Sequence, residues 1–373
     1  MYPRSNDGFV TAQLDNFTDA IILQVCATTN SSDIRTIFTN PIYQGTANQN
    51  PVSALYQGIN AENPQTEPYA RYWMGFRVLM RAALCVLNYY QIKRYSAFLF
   101  FLLFICVAFS LERRLNLKYA AAFAVSILLV RPYVISNSLQ FSCCFFIALL
   151  AMLAVPWIKN HGQYELLFFM ELGTLTMYFD FYTTPIITFA YPMIYLYLLR
   201  LEDGERMRIK NVFKCFAVWI CAWLMMWIVR LGLVSLFTEV DGFGSGFGKA
   251  AMWLGVNKSS DPVFQYSARL ALKEVAGAVL CDREGLMIWA LAAVVSAGFL
   301  VYKTKRGQFY PRRSFQNRAL LLIALMPIVW FIVAAQPTTT HYWFQYRSIS
   351  AAFFAAGACL AAGFPVYENQ HGL

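Results

Sequence analysis

From about residue 95 onward, apolar residues come in long unbroken runs; before that they come in short periodic groups. A helix needs about 17 to 25 apolar residues to cross a bilayer. Runs of that order are Tyr95–Leu111, Tyr119–Ile135, Leu139–Ile158, Tyr164–Phe179, Thr184–Leu199, Val212–Phe237, Leu286–Tyr302, Ala319–Ala335 and Ser348–Phe364. The second is interrupted near its end by Arg131 and Pro132. The pattern predicts an all-α, polytopic transmembrane helical bundle of about nine spans. The stretch "RYWMGFRVLMRAALCVLNYYQIKR", Arg71 to Arg94, is different. It places Trp73, Phe76, Met80, Leu84 and Leu87 at helical spacing, with Arg77 and Arg81 among them. An arginine near a bilayer centre costs at least a few kcal/mol. The expectation is an amphipathic helix lying in the interface, its apolar side toward lipid or protein.

Composition agrees with a membrane setting. Of the 373 residues, 58% are hydrophobic and 13% charged, about half the charged share of an average soluble domain. The net charge of +10 then reads as topology and anionic-lipid contact, and no basic–aromatic interleaving suggests nucleic acid. The nine cysteines include no CxxC pair, which argues against a zinc site. Cys26 and Cys281 fall in non-membrane segments, where a disulfide between them is open. The opening "MYPRSNDGFV" has no apolar signal-peptide core.

Lys and Arg in short loops set orientation. "ERRLNLK" (Glu112–Lys118), "RLEDGERMRIK" (Arg200–Lys210) and "KTKRGQFYPRRSFQNR" (Lys303–Arg318) are basic and read as cytoplasmic. The organisation expected is an outer N-terminal segment with amphipathic helices (1–94), transmembrane helices (95–237), an outer loop with short helices (238–285), transmembrane helices (286–364) and a cytoplasmic tail (365–373). The chain is expected in the cell membrane as a multi-pass protein.

Candidate chemistry lies where charge is expensive. Asp15 and Asp19 in "QLDNFTDAIIL" are one helical turn apart and share a face. Read alone, they suit either a solvated helix face or a paired site. Asp180 in "MYFDFYTTPIITF" precedes a Thr184–Pro185 helix start and suits a helix N-terminus or a site. His341 and Arg347 in "TTTHYWFQYRS" belong to an aromatic interfacial belt, where an arginine fork can also grip a lipid phosphate, as can Arg131. Glu171 and Arg230 fall inside expected spans, where a structural ion pair is the default. "DGFGSGFGKAAMWLG" (Asp241–Gly255) reads as a flexible connector or a mobile lid carrying Lys249. "SARLALKEVAGAVL" reads as an amphipathic helix on the membrane.

Taken together, "LDNFTDA", "RYWMGFRVLMR", "SLQFS", "FDFYTTP" and "THYWFQYR" resemble a family of bacterial membrane proteins met beside surface-polysaccharide genes, and the layout resembles the GT-C class of glycosyltransferases. Met74 and Ala82 stand where that family is expected to have His and Pro. The class has a membrane helix before its first outer loop; none precedes Asp15 here, so either the start has been lost or this member dispenses with it. The resemblance implies a carboxylate, Asp15 with Asp19 as partner, that deprotonates an acceptor hydroxyl for inverting attack on a polyprenyl-phosphate sugar. It implies Arg131, His341 and Arg347 on the phosphate side, with Asp180 and Lys249 also facing substrate. The partners expected are membrane lipid, a polyprenyl-phosphate sugar and a cell-envelope glycan or lipid acceptor; no cofactor is required, and a divalent metal is compatible. The competing reading is a flippase, transporter or polymerase partner, or an inactive family member; it predicts polar residues at mid-membrane, whereas these gather at span ends.

Overall fold

The structure is a computed structural model that describes residues 12, 14–45, 50–180, 182–205, 207–253, 267–280 and 282–364. It is all-α apart from one two-stranded ribbon. The chain opens with a small lobe: α1 (Asn16–Thr28), α2 (Ile34–Thr39), β1 (Ile42–Tyr43), α3 (Pro51–Asn60), β2 (Thr66–Glu67) and α4 (Phe76–Leu84). The strands pair antiparallel, with Ile42 opposite Glu67 and Tyr43 opposite Thr66. A bundle follows: α5 (Tyr89–Arg114), α6 (Leu117–Leu128), α7 (Pro132–Ser136), α8 (Leu139–Asn160), α9 (Glu165–Phe179), α10 (Ile186–Glu202) and α11 (Ile209–Phe237). Next come α12 (Gly242–Trp253), α13 (Ala268–Leu280), α14 (Asp282–Lys305) and α15 (Pro311–Gln316). The last elements are α16 (Arg318–Val333), α17 (Ala335–Thr340), α18 (Tyr342–Gln345) and α19 (Ser350–Ala362).

Among the described residues, four helices are long and apolar enough to cross a membrane: Tyr89–Arg114, Leu139–Asn160, Ile209–Phe237 and Leu286–Lys305. No part of the most apolar stretch of Leu286–Lys305 is buried within the protein. An apolar helix left unburied by the protein needs hydrocarbon around it. The chain is therefore a membrane protein. At the centre stands α10, every residue of which from Ile186 to Leu198 is buried. The helix starts at Ile186, with Pro185 at the cap position rather than Thr184. Beside it α9 and α11 lie so close that a Cβ on Gly173 would run into the Trp219 carbonyl. The expected break at Arg131 is present: α6 stops at Leu128, and Arg131 turns into the left-handed region (φ 59°) before α7.

The stretch from Arg71 to Arg94 does not form one continuous helix. The helix α4 ends at Leu84, and Asn88 opens α5 with a reciprocal cap: Gln91 N donates to Asn88 Oδ1 at 3.0 Å and Asn88 N to Gln91 Oε1 at 2.8 Å. Phe76 and Met80 pack inward with Ile21, Ile22 and Val25 of α1, while Val78 and Leu79 face out. The arginines of α4 turn back into the lobe. Arg77 donates to Asn40 Oδ1 (2.6 Å) and the Ile37 carbonyl (3.3 Å), and Arg81 to the Thr29 carbonyl (2.8 Å).

Two expectations are corrected. Arg230 is buried, but its partner is not Glu171, which is exposed on α9. Arg230 donates to the carbonyls of Ala70 (3.1 Å) and Phe38 (2.5 Å) and lies over the rings of Phe38 and Trp73. Spacing along two separate helices does not reveal which faces meet, and the lobe's carbonyls supply Arg230 with the acceptors that Glu171 was expected to provide. The ion pairs within the bundle, among the described residues, are Arg200–Glu165 and Lys159–Asp203 instead. The glycine strip is also not a loose connector: it is the helix α12. Cβ atoms at Gly242 and Gly246 would collide with Leu231 of α11, so these glycines permit close helix contact. Cys26 is a buried free thiol; Cys281, its suggested partner, and the tail 365–373 lie outside the described residues. The helix α13 buries Ala271, Val275 and Ala278 against the bundle.

Arg230→Met should loosen the lobe from α11 by stranding two buried carbonyls, a loss of about 1–3 kcal/mol. Glu171→Gln should leave stability unchanged. Thermal unfolding in detergent separates the two; equal losses would restore the Glu171–Arg230 pair.

Candidate functional site

Asp15 is the N-cap of α1, its Oδ1 accepting from Thr18 N at 3.0 Å, and it is 4% exposed. It lines a cavity of about 400 Å³ where the lobe meets one end of the bundle. The other charged side chains on that cavity are Arg71 and Lys249, and His341 faces it too. Gln140, Gln336 and Gln345 supply neutral polar groups from the starts or ends of α8, α17 and α18. One wall is a run of rings: Tyr69 stacks on Tyr72 (5.5 Å), Tyr72 meets Tyr182 (5.5 Å) and Tyr182 meets Trp253 (4.8 Å). Trp343 also faces this space.

Electrostatics here follow from burial. Lys249 is pushed below its ordinary 10.5 by burial and then by the neighbouring Arg71. Two cations sharing a partly dry pocket favour an anion between them. Burial also pushes His341 below its ordinary 6.5, with Asp15 working against that shift and Lys249 with it. The ring is therefore neutral at neutral pH and stacks on Phe344 with centroids 5.2 Å apart. A neutral imidazole can hydrogen-bond or accept a proton, but it cannot hold a phosphate by charge. Burial raises the phenols of Tyr69 and Tyr72, so both keep their O–H groups.

The remaining expected site residues lie off this cavity. Asp19 is one turn from Asp15 but points into protein. Its Oδ2 accepts from Tyr89 Oη at 2.6 Å and pairs with Lys93 Nζ at 3.7 Å; its Oδ1 accepts from Leu139 N at 3.2 Å. Leu139 is the first residue of α8, whose own cap residue, Ser138, makes no side-chain cap bond. Asp19 thus caps a helix that begins 120 residues later in the chain. Burial outweighs these contacts and pushes its pKa up to about 6. Arg347 is 1% exposed, lies over the rings of Phe141 and Tyr346 and donates to the Trp343 carbonyl at 2.9 Å. Asp180 closes α9 and accepts from Thr183 N (2.9 Å) and Thr183 Oγ1 (2.5 Å), a local turn. Arg131 occupies the bend before α7, outside the lining.

The structure thus unites Asp15, Lys249 and His341 and adds Arg71, which the sequence did not single out. The one signal for Arg71 was its place before the aromatic pair Tyr72–Trp73, in a polar linker. The donor set does not fit a divalent cation, because the lining's carboxylate is flanked by Arg71 and Lys249. Among the described residues, no group of three His, Cys, Asp or Glu side chains is placed to hold a metal.

Fold and cavity together define an all-α membrane protein with a charged, aromatic-walled cavity at one end of its bundle. The chain matches no protein-family model, no curated protein and no solved structure.

Asp19 gives a pH prediction. Its folded pKa, about 6, lies above the ordinary 3.8, so the folded state binds the proton more tightly. The resulting stability is present in full below about pH 4 and is lost as pH rises through about 6. It is on the order of 3 kcal/mol. Asp19→Asn should remove that fall, so the wild-type and variant unfolding profiles in detergent should diverge between pH 4 and 6.5. Parallel profiles would show that Asp19 does not titrate there.

Proposed function

We propose that the chain is a GT-C-like membrane glycosyltransferase. It takes a sugar from a polyprenyl-phosphate donor and passes it to a cell-envelope glycan or lipid acceptor at the outer face. On this reading the apolar helices make about nine crossings of the cell membrane, and the lobe faces outward. One observation carries the proposal: a carboxylate, two cations, a neutral histidine and an aromatic wall share a single cavity at an end of an apolar bundle.

Each group has a part. Asp15 takes the proton from the acceptor hydroxyl. The freed oxygen bonds to the anomeric carbon as the bond from that carbon to the phosphate oxygen breaks, inverting the configuration. Negative charge collects on the departing polyprenyl phosphate, where Arg71 and Lys249 stabilise it. Their mutual repulsion in the empty pocket is relieved by that same phosphate. Tyr69, Tyr72, Tyr182 and Trp253 offer flat faces to the sugar's C–H surface, and the tyrosines add hydroxyls for its polar rim. His341 holds the acceptor. The sequence-based phosphate role of Arg347 and Arg131 passes to Arg71 and Lys249. No step runs through a metal.

Asp15→Asn is a clean test, because asparagine caps a helix about as well as aspartate but is not a base. Transfer from a panel of polyprenyl-phosphate sugars in membranes should fall about a hundred- to ten-thousand-fold, with donor binding kept. Lys249→Gln should weaken donor-lipid binding by about ten- to a hundredfold. Wild-type turnover in Asp15→Asn would remove the carboxylate from the chemistry. A chain that moves lipid-linked sugar across vesicles without transferring it would be a flippase.

A further inference from the structure

A second cavity lies at the opposite end of the bundle. Its volume is about 600 Å³, and α6, α10, α11, α16 and α19 contribute to its walls. Three segments that are far apart in sequence and rich in Lys and Arg meet there. Lys118 comes from the first, Glu202 and Arg208 from the second, and Arg318 from the third. Three cations face one carboxylate. Arg208 and Arg318 make no ion pair among the described residues. Lys118 sits over the Tyr119 ring and donates to the Phe364 carbonyl at 3.0 Å, which fixes its ammonium group at the edge of the cavity.

The backbone adds to this positive field. Long helices α11 and α16 both begin on the cavity, and their cap residues, Arg208 and Asn317, make no side-chain cap bond. The first N–H groups of a helix lack intrahelical partners and carry the positive end of the dipole. Asn317 instead accepts from Tyr197 Oη at 3.0 Å. Leu201, Met207, Ala319 and Phe364 supply the apolar part of the lining. A cavity of this size, lined by both cations and apolar side chains, is larger than a simple carboxylate needs. Two arginine forks suit the tetrahedral oxygens of a phosphate.

We propose that this cavity binds a phosphate ester, held by Arg208, Arg318 and Lys118 with its glycerol-sized organic part against the apolar lining. An anionic phospholipid headgroup and a small soluble phosphate ester share this chemistry. The site is independent of the sugar-transfer reading, since it shares no residue with the Asp15 cavity.

The test uses the full-length protein in detergent. Native mass spectrometry measures retention of phosphatidylglycerol against phosphatidylcholine, and thermal shift measures binding of glycerol 3-phosphate. Arg208→Gln and Arg318→Gln are compared singly and together. Arg113→Gln/Arg114→Gln, two exposed arginines at the same end but outside the cavity, is the control. Each single variant should weaken binding about fivefold and the pair about 25-fold, while the control changes it less than twofold. Loss in the phosphatidylglycerol arm identifies a lipid headgroup; loss in the glycerol 3-phosphate arm identifies a soluble ester. If neither probe binds in preference to phosphatidylcholine, or if the control loses as much as the cavity pair, the proposal is overturned.

Discussion

The buried carboxylate of Asp19 is the joint on which the site end of this protein depends. It takes hydrogen bonds from α5 through Tyr89 and from the first N–H of α8, and it pairs with Lys93. A carboxylate removed from water must find such partners or lose its charge. Here the partners belong to elements 70 and 120 residues away, so satisfying one group fixes the placement of three helices. Asp15 emerges one turn earlier on that fixed helix and is held at the cavity by its own cap bond to Thr18. The two acids share a helix but divide the work: one orients the helix and the other faces the pocket.

The lobe is attached by the same logic on a larger scale. Its apolar contact with the bundle runs through Ile92 and Leu139 on one side and through Tyr72 and Trp73 against Met177 and Trp223 on another. Side chains that donate to backbone carbonyls across the join do much of the rest. Arg230 reaches Phe38 and Ala70, and Trp73 Nε1 reaches the Met226 carbonyl at 2.9 Å. Within the lobe, Asn40 Nδ2 donates to the Tyr72 carbonyl at 2.7 Å. Tyr72 and its neighbours Tyr69 and Arg71 form a wall of the cavity. Each such bond is worth little net, but removing the donor strands a buried acceptor. The cavity wall is thus held by many bonds that are costly to break one at a time, which suits a site made from a loop.

Which features could be read from the sequence follows from what a linear pattern encodes. Of the nine apolar runs, four gave helices long and apolar enough to cross a membrane among the described residues, and the others gave shorter helices, because hydropathy is local but helix length also depends on where the chain must turn. The interruption at Arg131–Pro132 was equally local and legible, whereas the stretch Arg71–Arg94, expected as one helix, divides between α4 and the start of α5. Partnership was not. Glu171 and Arg230 looked like a pair because both are charged and apolar residues surround them, yet Arg230 turns to carbonyls of a segment 160 residues away. The glycines of α12 looked flexible because glycine frees the backbone; only the approach of Leu231 shows that they were needed for their size. Asp15, His341 and Lys249 were found by asking where charge is expensive. Arg71 escaped that filter because it lies in a polar linker, where a charge costs nothing until the fold closes over it.

The two ends of the bundle solve one electrostatic problem in opposite ways. At the site end, Arg71 and Lys249 share the pocket with Asp15, and the nearby cation Arg347 is sealed between rings. At the other end, three cations face a single acid with helix N-termini behind them. The helices α6, α10, α11, α16 and α19 form the basic cavity at one end. At the other, their ends, or the loops beyond them, border the site or the aromatic and carbonyl contacts that build it. A shift of any of these helices along its axis would change both cavities together. The buried, close-packed α10 and the tight contact at Gly173 resist that shift. The charged ends are therefore held apart by a mostly apolar middle, in which Thr188 joins Thr176 (2.7 Å) and Trp219 Nε1 (3.2 Å).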